Sequence, residues 1–258
     1  MTSPRLPSYL VLPALCTAVV AAGALALAGF GYRWGMWGFP TAFTIFRVVV
    51  FVAGAAGLLA VAGLVTAVAR RRWTMAGLAA AAVVIAGVTV AVPLSFSRQA
   101  AAVPPIHDIT TDTAHPPPFV ALRPARASAP NGADYGGPAV AAQQERAYVD
   151  LAPLRFTAAV DPVFAAVVKA ARASGWEVAA AVPGEGRLEA TATTAWFGFK
   201  DDVVVRVVPD GSGTKVDVRS ASRVGRSDLG VNARRIREFG EALRQDCGAL
   251  GGSYRQRH

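Results

Sequence analysis

The sequence predicts an α+β protein: three N-terminal transmembrane helices, then a helix-grip-like antiparallel sheet with two helices on one face. Three observations predict it. Residues 1–98 hold three apolar runs and no Asp or Glu. Residues 154–247 show a helical stripe, several alternating runs joined by tight turns, and a second helical stripe. Between these parts, residues 99–153 are rich in Pro and Gly and read as a connecting segment, while 248–258 read as a flexible tail.

The apolar runs cover about 9–30, 41–69 and 73–96. Each approaches or exceeds the roughly 20 residues needed to cross a hydrocarbon core. Helices of a soluble bundle would carry polar faces, and these runs have almost none. "ARRRW" at 69–73 sets three arginines between the second and third runs, and basic loops stay in the cytoplasm. "GYRWGMWGFP" between the first two runs holds one Arg with Trp34 and Trp37, which suits the opposite interface. The third run then leads outward. The expectation is a multi-pass protein of the bacterial inner (cytoplasmic) membrane with its C-terminal domain in the periplasm. A leader cleaved after "ALA" at 26–28 is the alternative for the first run, and it leaves that direction unchanged.

The chain of 258 residues carries a formal charge of +9. Only +3 of it belongs to the 20 basic and 17 acidic residues from Arg98 onward. Nucleic-acid-binding proteins concentrate positive charge on the folded module, so nucleic acid is not the expected partner. Cys16 and Cys247 offer no disulfide framework or metal spacing. Leu15 stands where a lipid-anchored cysteine needs a small residue.

In the connecting segment, "PPIHDITTDTAHPPPF" and "RPARASAPNGADYGGPA" are loop-like in composition. His107, Asp108, Asp112 and His115 are weak candidates for a metal site. Their spacing fits no recognised pattern, and Asp and Thr in such stretches usually bond their own backbone in turns. No metal or other cofactor is expected. "YGGPAVAAQQERAY" at 135–148 reads as a turn and a short helix.

In the folded part, "LRFTAAV" reads as a first strand. "DPVFAAVVKAARASGW" is a helix with Asp161 as N-cap and Pro162 in its first position. Val163, Phe164, Val167, Val168 and Ala171 form its apolar stripe, and Ser174-Gly175 ends it. "WEVAAAV", "RLEATATTAW", "VVVRVVP" and "TKVDVRSAS" are strands separated by "PGEG", "FGFKDD" and "DGSG". Alternation puts Val216 and Val218 inward and Lys215, Asp217 and Arg219 outward. "DLGVNARRIREFGEALRQ" is the last helix, with Leu229, Ala233, Ile236, Phe239 and Leu243 toward the sheet. Two helices on one face of an antiparallel sheet complete the α+β arrangement.

Three blocks, "PPIHDITTDTAHPPPF", "WFGFKDDVVVRV" and "VDVRSASRVGRSDLGVNARRIREF", together resemble the bacterial family called domain of unknown function 1499. The three apolar runs with "GYRWG" resemble its proteobacterial members. The resemblance implies membrane anchoring and a shared, unassigned role, and it transfers no catalytic residue.

Candidate residues follow from chemistry. Seven arginines and three acids lie between 219 and 244. Arginine's planar fork suits phosphate and carboxylate, and helix N-termini attract anions. Arg219, Arg223, Arg226, Ser227, Arg234 and Arg235 therefore form a candidate anion site. The competing reading is a structural ion-pair network, because Asp228 takes the helix-start donors and Asp201 and Asp202 supply counter-charge. Trp196, Phe199, Lys200, Asp201 and Asp202 form an aromatic and acidic turn, read either as hairpin packing or as a lip against a bilayer or acyl chain. No histidine lies in the folded part, and no nucleophile elbow, phosphate loop or zincin motif occurs. Glu189, Asp201 and Asp202 are the carboxylates an enzyme would have to use. The expected role is non-catalytic binding of an anionic lipid, an envelope glycan or a membrane protein partner. The alternatives are a hydrolase or transferase of envelope material and a structural subunit of a membrane complex.

Overall fold

A computed structural model describes residues 6–249; the expected tail falls almost wholly outside the described residues. The chain divides into two compact units: residues 1–98 with 195–198, and residues 99–194 with 199–258.

The first unit is built from α1 (Leu6–Arg33), α2 (Phe39–Ala69) and α3 (Trp73–Ala102). The last four residues of α3 belong to the second unit. Three segments, Tyr9–Arg33, Phe39–Ala69 and Trp73–Ala102, are long and apolar enough to cross a membrane, with mean hydropathies of 2.3, 2.6 and 2.4. Alanine layers hold them together: Ala14, Ala60 and Ala82 in one, and Ala18, Ala56 and Ala86 in the next. Small residues let backbones approach closely where lipid removes any hydrophobic drive between helices. At Gly63 a Cβ would come within 2.9 Å of the Val11 side chain. Val20, Phe51 and Leu58 are more than two-thirds exposed, as lipid-facing side chains should be. Residues 195–198 cluster with these helices. The Trp196 indole donates to the Ala26 carbonyl at 3.0 Å, and its ring lies 6.1 Å from both Phe46 and Phe96. A Cβ at Gly29 would overlap that indole.

The second unit runs β1 (Asp108–Thr110), α4 (Arg123–Ala127), α5 (Pro138–Ala147), β2 (Leu154–Phe156), α6 (Val160–Ala173), β3 (Glu177–Val182), β4 (Arg187–Thr193), β5 (Lys200–Asp210), β6 (Gly213–Ser222) and α7 (Val231–Ala249). The sheet is antiparallel, ordered β1-β6-β5-β4-β3. β2 pairs with the same edge of β6 as β1, at Thr214–Val216 instead of Arg219–Ala221. Two short strands thus lie end to end along one long one.

Alternation decides what each face meets. Leu188, Ala190, Val203, Val205, Val207, Val216 and Val218 point to one face, against Val163, Val167 and Ala171 of α6 and Ala233, Ile236, Phe239 and Leu243 of α7. This is the expected α+β arrangement. Each fully buried valine or leucine there contributes about 1.5–3 kcal/mol.

The other face departs from expectation. Residues 99–153 lie in the second unit, and β1, α4 and α5 belong to this segment. Phe119 and Leu122 pack on Val204 and Ala221. Asp217 and Arg219, expected in solvent, are buried at 0% and 2% exposure. Period-2 alternation identifies which residues share a face; it does not identify what covers that face. Three smaller corrections concern element ends. Lys200, Asp201 and Asp202 open β5 instead of forming a turn. Ala159, not Asp161, is the N-cap of α6, with no side-chain bond. The last helix starts at Val231, and Leu229 precedes it at φ 56°, outside the apolar stripe.

Candidate functional site

The segment before α7 is a chain of local bonds. Ser227 Oγ accepts from the Leu229 N–H at 3.2 Å. The Asp228 carboxylate accepts from the N–H groups of Gly230 and Asn232 at 2.9 and 2.8 Å. Burial pushes the Asp228 carboxyl above its usual range, against the pull of those two bonds. Asp228 therefore occupies the first donors of the helix, as the ion-pair reading expects.

The six arginine-stretch candidates do not converge. Arg219 lies on the covered face, bound to Asp108 at 2.9 and 2.7 Å and to the carbonyls of Pro117 and Ala133. Arg223 grips both Asp202 oxygens at 2.9 and 2.8 Å. Arg235 reaches Asp201 at 2.7 Å and the Ser220 hydroxyl at 3.0 Å, where Asn232 joins the cluster. Arg226 and Arg234 are exposed and form no ion pair among the described residues. Arg234 lines a cleft.

That cleft measures about 360 Å³. It is bounded by the end of α6 (Ser174, Gly175), by Trp176, by Ala192 and Thr193 of β4, and by Val231, Arg234, Arg235, Glu238 and Phe239 of α7. Trp176 stacks on Phe239 at 5.0 Å between centroids, so both rings are already spent on the core. Arg234 and Glu238 are the exposed charges at its rim, and neither has an ion-pair partner among the described residues. The size falls at the small end of ligand sites.

The acidic candidates have structural tasks. Glu189 accepts the N–H groups of Val120, Ala121 and Leu122 at 2.9–3.1 Å and pairs with Arg187. Asp202 receives Arg223, Thr191 and Arg126. Burial pushes the Asp202 carboxyl up, but these bonds outweigh it and hold it below the usual range. Among the described residues none of the three enzyme candidates, Glu189, Asp201 and Asp202, is left unpaired.

The remaining candidates disperse. Asp108 binds Arg219, while Asp112 meets Arg206 and Lys215 and accepts from the His115 N–H. His107 supplies its backbone carbonyl to Ser222 and Asn232. Among the described residues no three of His, Cys, Asp and Glu gather as a metal-binding group. Phe199 N–H bonds the Thr194 hydroxyl, and the Lys200 side chain is exposed. Sequence reasoning missed the buried Arg126. Its guanidinium meets Asp202 and the carbonyls of Ala221 and Gly132, and lies 4.8 Å over the Phe119 ring. No local signal distinguishes it from Arg123, which is exposed and pairs with Asp134.

A family model described as Protein of unknown function (DUF1499) matches residues 108–243. The match begins at the first residue of β1, so it takes in most of the Pro/Gly-rich segment together with the sheet. Comparison with curated proteins and with solved structures gives no match.

Proposed function

We propose, for a chain that belongs to the DUF1499 family, that the cleft beside α7 binds an anionic ligand without catalysis. The three apolar helices would anchor the protein in a bacterial inner membrane, with the second unit in the periplasm. The arginines at 70–72 support that direction, because basic loops resist translocation. The ligand is a phosphate- or carboxylate-bearing group of the envelope: a lipid headgroup, a glycan or a partner side chain.

Arg234 carries the proposal. It is a cation at a cleft rim, while Arg219, Arg223 and Arg235 are held by buried aspartates. A guanidinium with no internal partner keeps its fork for an external one.

Isothermal titration of the full chain in detergent, with inorganic phosphate and with glucuronate, tests this. At least one should bind, more weakly as salt rises, and Arg234→Glu should reduce affinity tenfold or more. Arg146→Glu, on α5, should leave it unchanged. Binding indifferent to Arg234, or none with either probe, overturns the proposal.

A further inference from the structure

Glu238 is unexplained by an anion site. It lines the same cleft as Arg234, one helical turn away, and has no ion-pair partner among the described residues. A pure anion drawn to Arg234 would meet this carboxylate and be repelled. Resting on the binding reading above, we infer that the cleft takes a zwitterion: an anionic phosphate or carboxylate with a primary ammonium a few bonds away.

Two features of the cleft support this chemistry. Arg234 and Glu238 are four residues apart on α7, which separates their backbones by roughly 6 Å along the axis. That spacing presents a positive and then a negative group to a short bipolar ligand. Arg235 cannot swing in to neutralise Glu238, because Asp201, Ser220 and Asn232 hold it.

The aromatic residues narrow the ligand further. Quaternary ammonium groups are recognised by open aromatic faces. Trp176 and Phe239 stack on each other and are 8% and 1% exposed. The cleft thus offers hydrogen-bond acceptors rather than a cage, which suits a primary ammonium. Its volume of about 360 Å³ suits a headgroup-sized or amino-acid-sized molecule.

Titration of the full chain in detergent with O-phosphoethanolamine, phosphocholine and inorganic phosphate tests the inference. Phosphoethanolamine should bind at least tenfold tighter than the other two. Glu238→Gln should erase that preference while leaving phosphate affinity equal or higher; the side chain is exposed, so the fold should survive. Competition by short-chain phosphatidylethanolamine would make a lipid headgroup the source. Absence of such competition would make it a soluble zwitterion; both outcomes support the inference. Phosphate binding as tightly as phosphoethanolamine, with Arg234 still required, overturns the zwitterion and leaves the anion site standing. Loss of all binding overturns both.

Discussion

Arg126 and Arg219 both lie over the Phe119 ring, 4.8 and 4.7 Å from its centre, and each is no more than 2% exposed. Buried charges of this kind persist only when paired and fully hydrogen-bonded. Arg126→Met would strip Asp202 of one of its two cations and remove the guanidinium's bonds to the Ala221 and Gly132 carbonyls. It should cost about 3–5 kcal/mol, read by denaturant unfolding of the full chain in detergent. Asp202 also sets an acid limit. Its folded pKa is depressed below the ordinary 3.8, so on acidification the unfolded chain takes up this proton first. Its stabilisation is complete above that ordinary value and is lost as the pH falls through the lower folded one. Asp202→Asn should be less stable at pH 7 and should flatten the acid limb of a stability profile below pH 4. These residues were poorly legible in the sequence. Arg126 lies in "RPARASAP", which reads as loop, and its aspartate partner is 76 positions away.

Elements were more legible where period and punctuation agree. The apolar stripe of α6 and the Ser174-Gly175 stop match the observed Val160–Ala173, and Gly175 has φ 72°. The turn between β3 and β4 was visible as "PGEG". Gly186 takes φ 58° there, and a Cβ would fall on the Val207 carbonyl, while the Gly186 carbonyl accepts the Val207 N–H at 2.7 Å. Gly186→Ala should destabilise the unit by about 1–2 kcal/mol from the left-handed backbone alone, with more from displacing β5. Thermal unfolding followed by near-ultraviolet circular dichroism measures it. A wild-type midpoint would mean that the turn can rearrange freely. The missed elements were α4, which lies in the stretch read as loop, and β1. Three residues of "HDITTD" carry too little periodicity to announce a strand, and Asp108–Thr110 become one only because β6 offers a free edge.

For the whole molecule, the proposed topology makes one sharp prediction. Alkaline phosphatase fused after the last residue should be active in cells, and green fluorescent protein fused at the same point should be dark. The reverse pattern would put the second unit in the cytoplasm and remove the envelope reading. The sequence by itself determined the three apolar helices, the strands β3 to β6, the two helices on the sheet and the side chains of their common core. All of these follow from spacing within one element, where backbone geometry alone fixes which side chains share a face. The tertiary structure decided the rest. It folded the Pro/Gly-rich segment over the second sheet face, buried Arg219 against Asp108 across 111 positions, and left Arg234 and Glu238 open at a cleft. A charged side chain reads the same in sequence whether solvated or paired. Only the approach of a distant opposite charge tells the two apart.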